Sequence, residues 1–169
     1  DWATLLPLRL LNLSCNLLAD EGAAAVSRLI GHLLHLETLQ LAGTRLTSAG
    51  AREILREAPA TLTHLDLSDA TLHSDDLASA LHHLPLLVRL DVEDTVIEGS
   101  NTQLEQLAVA LCLSADAALR TLYLGDQQCS AWAAQARQHM NLTVYPDAMS
   151  AADVVDDDDE DDDDDDEDN

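Results

Sequence analysis

Leucines recur in one frame along most of this chain. Leu-x-x-Leu-x-Leu begins at Leu8, Leu36, Leu62, Leu87 and Leu119, with Val92 as the third apolar residue of the fourth copy. The starts are 28, 26, 25 and 32 residues apart. A fixed period of this size marks stacked structural repeats rather than a closed globule. The last positions of each copy alternate apolar and polar, as a short strand with one buried face does. A turn follows, then a helical half with a wider apolar face. The expected helices cover 22–34, 48–58, 74–83, 101–113 and 130–139. Ser48, Ser74, Asn101 and Ser130 stand near their starts as caps for free amide groups. Gly22 and Gly50 share one repeat position, with Asp76 and Asn101 in the next two copies. Residues of these types suit a tight strand-to-helix turn.

The segment Leu8-Arg-Leu-Leu-Asn-Leu-Ser-Cys-Asn16, with Gly22 and the Ala-rich helix after it, resembles a leucine-rich repeat of the ribonuclease-inhibitor type. The resemblance covers about residues 2–145. It implies an α/β leucine-rich repeat solenoid, an open arc with parallel strands on the concave face and helices on the convex face. In that family the ninth repeat position is Asn or Cys, and its side chain hydrogen-bonds to the turn backbone. Here the series is Asn16, Thr44, Ala70, Thr95 and Gln127. Ala70 has no donor, so a locally loose turn is expected there. Leu142-Thr-Val-Tyr145 reads as a last strand and a terminal cap. Cys129 aligns with the core positions Leu46, Leu72 and Ile97, and Trp132 is expected to cover the end of the stack, with a partner anchor as the alternative. Trp2-Ala-Thr-Leu-Leu-Pro7 is similar to Ala80-Leu-His-His-Leu-Pro85. The chain is therefore expected to begin inside a repeat, as the C-terminal piece of a longer array, with Leu5, Leu6 and Leu10 at an exposed edge.

Composition supports a ladder rather than a globule. The 169 residues include 34 Leu, no Phe and no Lys. Leucine monotony underspecifies a closed core but suits equivalent leucines stacked from repeat to repeat. The net charge of −24 is uneven. Residues 153–169 hold 14 acids and no base, whereas residues 1–152 hold 18 acids and all eight Arg, a net −10. Asp156 to Asp168 is an unbroken acidic run with nothing apolar to bury, so it is expected to be disordered. The repeat domain is placed at 1–148 and the polyacidic tail at 149–169. Clustered Lys and Arg are what phosphate backbones require, so nucleic acid is a poor partner and a basic protein a good one. No apolar run reaches the roughly 18 residues of a membrane span. Cys15, Cys112 and Cys129 form no Cys-x-x-Cys pair, so no zinc knuckle or redox pair is written. The sparse cysteines and the lack of Cys-rich end caps in this sequence lead to the expectation of a reducing intracellular compartment, cytoplasm or nucleus.

Between the leucines lie the residues that face outward from the strands. Asp66 and Asp91 hold the same position in adjacent repeats. Asp69, Asp94 and Asp126 form a second column, one step beyond the strands. With Glu93 they make a negative stripe over the last three repeats, and Arg89 and Tyr123 share its face. These eight residues are the candidate partner-binding set. Neighbouring strands lie about 4.8 Å apart, so the carboxylates sense one another. An open face offers no water-excluding pocket for acid–base chemistry, and no calcium loop is written. The seven histidines match no metal or catalytic spacing. No catalytic residue, metal or cofactor is assigned.

The reading that follows is a non-catalytic protein-protein interaction module. It takes a basic protein surface through the concave face and the acidic tail. Two resemblances supply alternatives. Repeats of this type followed by an acidic tail resemble the Ran GTPase-activating proteins, which implies a regulator of a small GTPase with import-factor or GTPase partners. That family's essential Asn and Arg lie in earlier repeats, and no residue here is matched to them. The acidic nuclear phosphoproteins that bind histones are similar in joining leucine-rich repeats to an acidic tail, although their repeats are shorter and carry less helix. That similarity implies a histone chaperone.

Overall fold

The computed structural model describes residues 7–124 and 143–145. The expected helix at 130–139, Asp126, Gln127, Cys129, Trp132, Leu5, Leu6 and the acidic tail lie outside the described residues. In chain order the elements are β1 (Leu10–Asn12), α1 (Ala19–Ile30), β2 (Thr38–Gln40), α2 (Ser48–Glu57), β3 (His64–Asp66) and β4 (Thr71–His73). Then come α3 (Ser74–His83), β5 (Arg89–Val92), β6 (Val96–Glu98), α4 (Asn101–Ala117), β7 (Thr121–Leu124) and β8 (Thr143–Tyr145). Among the described residues no helix is long and apolar enough to cross a membrane.

The main sheet runs β1-β2-β3-β5-β7-β8, with every pair parallel. Its register is the leucine frame itself. Leu11, Leu39, Leu65, Leu90, Leu122 and Val144 are successive partners across the sheet. A strand turns alternate side chains to opposite faces, so Leu39, Leu65, Leu90 and Leu122 point inward to the helices and their strand neighbours point out. Leu36, Leu62, Leu87 and Leu119 form a second buried row, and Leu41, Leu67 and Val92 a third. The first copy is different because β1 is the edge strand of the sheet among the described residues. Leu11 and Leu13 are only partly buried, and Leu10 is 54% exposed.

Each helix lays an apolar stripe on this sheet. α1 buries Ala23, Val26, Ser27 and Ile30, and α3 buries Ser74, Leu77, Ala80 and Leu81. These spacings keep one side of a 3.6-residue turn facing the core. The starts differ from expectation in an instructive way. The caps are Thr47, His73 and Ser100, each one residue ahead of the position assigned from sequence or just outside it. Thr47 accepts from the Ala49 amide, and Ser100 forms a reciprocal capping box with Gln103. Ser74 is the first helical residue and fully buried, so it cannot serve as the cap. α1 starts at Ala19 and ends at Ile30, earlier at both ends than the expected 22–34, because Gly31 and the turn to Leu36 close it.

Gly22 and Gly50 also have a different role from the turn residues expected. Both sit inside the first turns of α1 and α2. Gly50 is needed for close approach: an added Cβ would meet Ala23 Cβ at 3.1 Å and press into the Asp20 carboxylate. The left-handed turn lies instead just past each strand. Cys15, Gly43, Asp69 and Asp94 have φ of 60°, 64°, 60° and 51°. There the amides of Cys15, Gly43 and Asp69 donate to Ala42, Ser68 and Glu93 carbonyls of the next repeat. Gly and Asp tolerate this backbone better than other types.

The loose turn expected at Ala70 is not found. Asp69 keeps the left-handed geometry of its equivalents, and β4 follows at once and pairs with β6. The reason is a donor borrowed from the next repeat. Asn16 and Thr44 each donate from their side chains to the carbonyl three residues back, Leu13 and Leu41. The equivalent carbonyl before Ala70 is Leu67, and it accepts from Thr95 Oγ1 at 3.0 Å. An unpaired buried acceptor costs ~1–3 kcal/mol. Thr95→Val is therefore expected to lower the unfolding free energy by about that amount in urea titration. Adding Ala70→Thr should recover part of the loss by restoring the local donor. A Thr95→Val change that leaves the urea midpoint in place would refute the borrowed bond.

Candidate interaction surface

The register sets two columns of side chains on the strand face. One runs Leu10, Thr38, His64, Arg89 and Thr121, and the other runs Asn12, Gln40, Asp66, Asp91 and Tyr123. Asp66 and Asp91 are direct register partners, as equivalent repeat positions require. They are not alike in environment. Asp66 Oδ1 accepts from the Ser68 amide at 3.0 Å, the same local turn that Asn12 makes with Ser14 in the first repeat. Asp91 is held by Arg89, two residues earlier on the same face. The Arg89 Nε donates to Asp91 Oδ1 at 3.1 Å and Oδ2 at 2.9 Å. The guanidinium also lies 4.4 Å from the centre of the Tyr123 ring, a cation–π distance.

Sequence reading grouped Arg89 and Tyr123 with the stripe but did not join them to Asp91. The signal was present. A strand places residues two apart on one face, and the repeat register sets Tyr123 beside Asp91. The stripe is thus partly neutralised from within at its centre. The Asp91 side chain is only 13% exposed. That burial pushes its carboxyl above the usual carboxylate range. The Arg89 hydrogen bond and charge pull it down less strongly, Asp66 pushes it further up, and His64 opposes.

Asp69 and Asp94 are exposed and in the left-handed turn. Their residue type therefore answers a backbone need as well as a charge pattern. Glu93 is half-buried beside them, and its backbone carbonyl receives the Asp69 amide. Asp66, Asp69, Asp91, Glu93 and Asp94 set five carboxylates against Arg89 on one side of the described residues. Between the columns is an open hollow of about 130 Å³ lined by Thr38, Gln40, His64, Asp66, Arg89 and Asp91. The hollow brings Thr38, Gln40 and His64 together with the acids.

The histidines on the helices are tied to backbone. His82 bonds the Ala78 carbonyl of its own helix, and His83 Nε2 donates to the Leu55 carbonyl near the end of α2. Neighbours on a helix point apart, and here that difference links two repeats.

Stacked leucine rows, with a strand and a helix in each of the first four repeats, define a leucine-rich-repeat solenoid. A family model described as leucine rich repeat matches residues 5–27 and 32–55, the first two copies of the frame. The structure is similar to a solved structure titled leiomodin-1 actin-binding site 2, with a TM-score of 0.60 and 16% identity. The likeness covers 78% of this chain and 75% of that one, and at this identity it concerns the fold. No curated protein matches the chain by sequence. Repeats of this class, open on one face, are protein-interaction modules.

Proposed function

We propose that the chain is a non-catalytic interaction module that takes a basic protein surface on its strand face, with the acidic tail raising the rate of encounter. The observation that carries this reading is the Asp66–Asp91 pair. Two carboxylates are set side by side by the register, and one is kept largely out of water at a cost to its ionised form. Burying a charge this way weakens the fold unless fully compensated, so Asp91 stands where a partner's cation would repay it. The hollow is open and shallow, which suits an inserted Lys or Arg side chain better than an enclosed reaction. The field of the tail reaches further than any contact and acts on association rate.

The stability of Asp91 variants follows from the sign of its shift. A carboxyl whose folded pKa is raised imposes a penalty above that pKa, and the penalty is relieved as pH falls through it. Asp91→Asn is therefore expected to melt at a higher temperature than wild type at pH 7. The gap should narrow as the pH is lowered into the titration range of Asp91. A lower melting temperature at pH 7 would contradict the buried-charge account.

Binding is tested with Asp66, Asp91 and Asp94 all changed to Asn in the full chain. The probes are a small GTPase and core histones, read at two salt concentrations. The Debye length near physiological ionic strength is about 8 Å, so exposed charge contacts weaken steeply with salt. The triple variant is expected to bind at least about tenfold more weakly, with a flatter salt dependence. Deleting residues 153–169 should slow association and leave the melting of the repeats in place. Unchanged affinity and salt dependence in the triple variant would make the stripe a solvated surface only.

A further inference from the structure

α4 has 17 residues and α3 has 10. The excess matches the longer spacing of 32 residues between the fourth and fifth copies, against 25 for the preceding interval. Seven residues of helix are about 10 Å long, so the second half of α4 runs past the end of α3. Ala110 and Leu111 in that half are buried, while its outer face is open. Val109 and Leu113, one turn apart, are 59% and 58% exposed there. Leu86, in the turn after α3, is 52% exposed.

A groove of about 560 Å³ runs between the two helices where they lie side by side. It continues past His82, Ala110 and Leu113 into a smaller hollow of about 200 Å³ against Leu84 and Pro85. Ala78 and Ala110 keep its floor low, while Asp75 and Glu105 stand on its walls. Thr102 to Ser114 line its length, about 18 Å or three helical turns. The backbone groups of both walls are used within helices, so an added strand would find no edge to pair with. A third helix, by contrast, packs into a groove between two others through its apolar side chains.

We propose that this groove is a docking site for a basic amphipathic helix of a protein partner, on the opposite side of the solenoid from the acidic stripe. Charge selects this occupant. α3 carries Asp75 and Asp76, α4 carries Glu105, and neither helix has a Lys or Arg. A second copy of a chain with net charge −24 would bring like charge to the same walls. A helix with apolar residues at i, i+3, i+4 and i+7 and Lys on its flanks fills the floor and meets Asp75 and Glu105.

The probe is a fluorescent peptide of about 16 residues, with Leu on one helical face and Lys elsewhere. Its control has the same composition with the Leu residues scattered around the helix. The full chain is used, because its tail attracts any basic peptide and both probes carry that attraction equally. The amphipathic peptide is expected to bind at least about tenfold more tightly than its control. Leu113→Asp and Val109→Asp each separate docking from charge. They add a negative charge, so a purely electrostatic interaction is held or strengthened, whereas groove docking is weakened at least about tenfold. Both side chains are more than half exposed, so melting should barely move. Leu113→Ser, which adds no charge, should weaken binding in the same direction. Hydrogen exchange should slow in α3 and α4 on binding. Equal affinity of the two peptides, unchanged or tighter binding to the Asp variants, or slowing confined to the strand face would overturn the proposal. So would a dimer in sedimentation that Leu113→Asp dissolves, which would assign the groove to a second copy.

Discussion

Leu65→Ala is expected to lower the unfolding free energy by about 2–5 kcal/mol, the range for emptying a well-packed leucine site. Leu65 is 1% exposed and sits in the middle of the row, with Leu39 on one side and Leu90 on the other. Both neighbours are fixed by sheet hydrogen bonds, so neither can collapse into the space. In a stacked array each repeat is stabilised chiefly by its neighbours, and a hole here weakens two interfaces at once. Leu10 is the control within the same protein. It lies in the same sheet but is 54% exposed, so Leu10→Ala should change stability by less than about 0.5 kcal/mol. Urea unfolding followed by circular dichroism measures both. A Leu65→Ala protein as stable as the Leu10→Ala protein would show that the leucine row is not what holds the stack.

Gly50→Ala is expected to destabilise the fold by about 2 kcal/mol, against the roughly 1 kcal/mol that alanine gains over glycine inside a helix. The obstacle is the seam between α1 and α2. The new methyl would displace the Asp20 carboxylate, which accepts from the Thr47 amide at 3.1 Å and from Thr47 Oγ1 at 2.6 Å. Those bonds make Asp20 a cap for the helix of the following repeat. They also hold its carboxyl below the usual range. A depressed folded pKa gives stability that is present above the unfolded value and lost as pH falls through the folded one. The difference between wild type and Asp20→Ala should therefore close in acid. In an Asp20→Ala background, Gly50→Ala should cost about 1 kcal/mol less, a coupling that a double-mutant cycle resolves. Strictly additive losses would show that the carboxylate is not the obstacle.

The ladder was legible because it depends on period alone. Equivalent leucines must share a row once the repeat spacing is fixed, and Leu39, Leu65, Leu90 and Leu122 do. The same register placed Asp66 beside Asp91. What escaped the sequence were relations between repeats that depend on side-chain reach. Thr95 looked like one more variant of the ninth position, yet its hydroxyl serves the repeat before it. Gly50 looked like a turn residue because a glycine's backbone freedom and its small size leave the same letter. Arg89 was placed on the face of the negative stripe, but its pairing with Asp91 shows only in the side-chain geometry. The length of α4 was hidden in a spacing of 32, since extra residues can enter a loop as easily as a helix.

The hydroxyl that reaches from Thr95 to Leu67 sets how this array can be inherited. Repeat proteins gain and lose units by recombination, and a unit travels well when it is complete in itself. The third repeat is less complete than the first two, because its Leu67 carbonyl is served by a side chain of its successor, whereas Leu13 and Leu41 are served from within. A deletion removing the fourth copy, or an insertion separating the two, would leave the Leu67 carbonyl without a donor unless the incoming unit also brought one at that position. The third and fourth copies therefore form one heritable cassette of two repeats, and duplications within this array should carry them together.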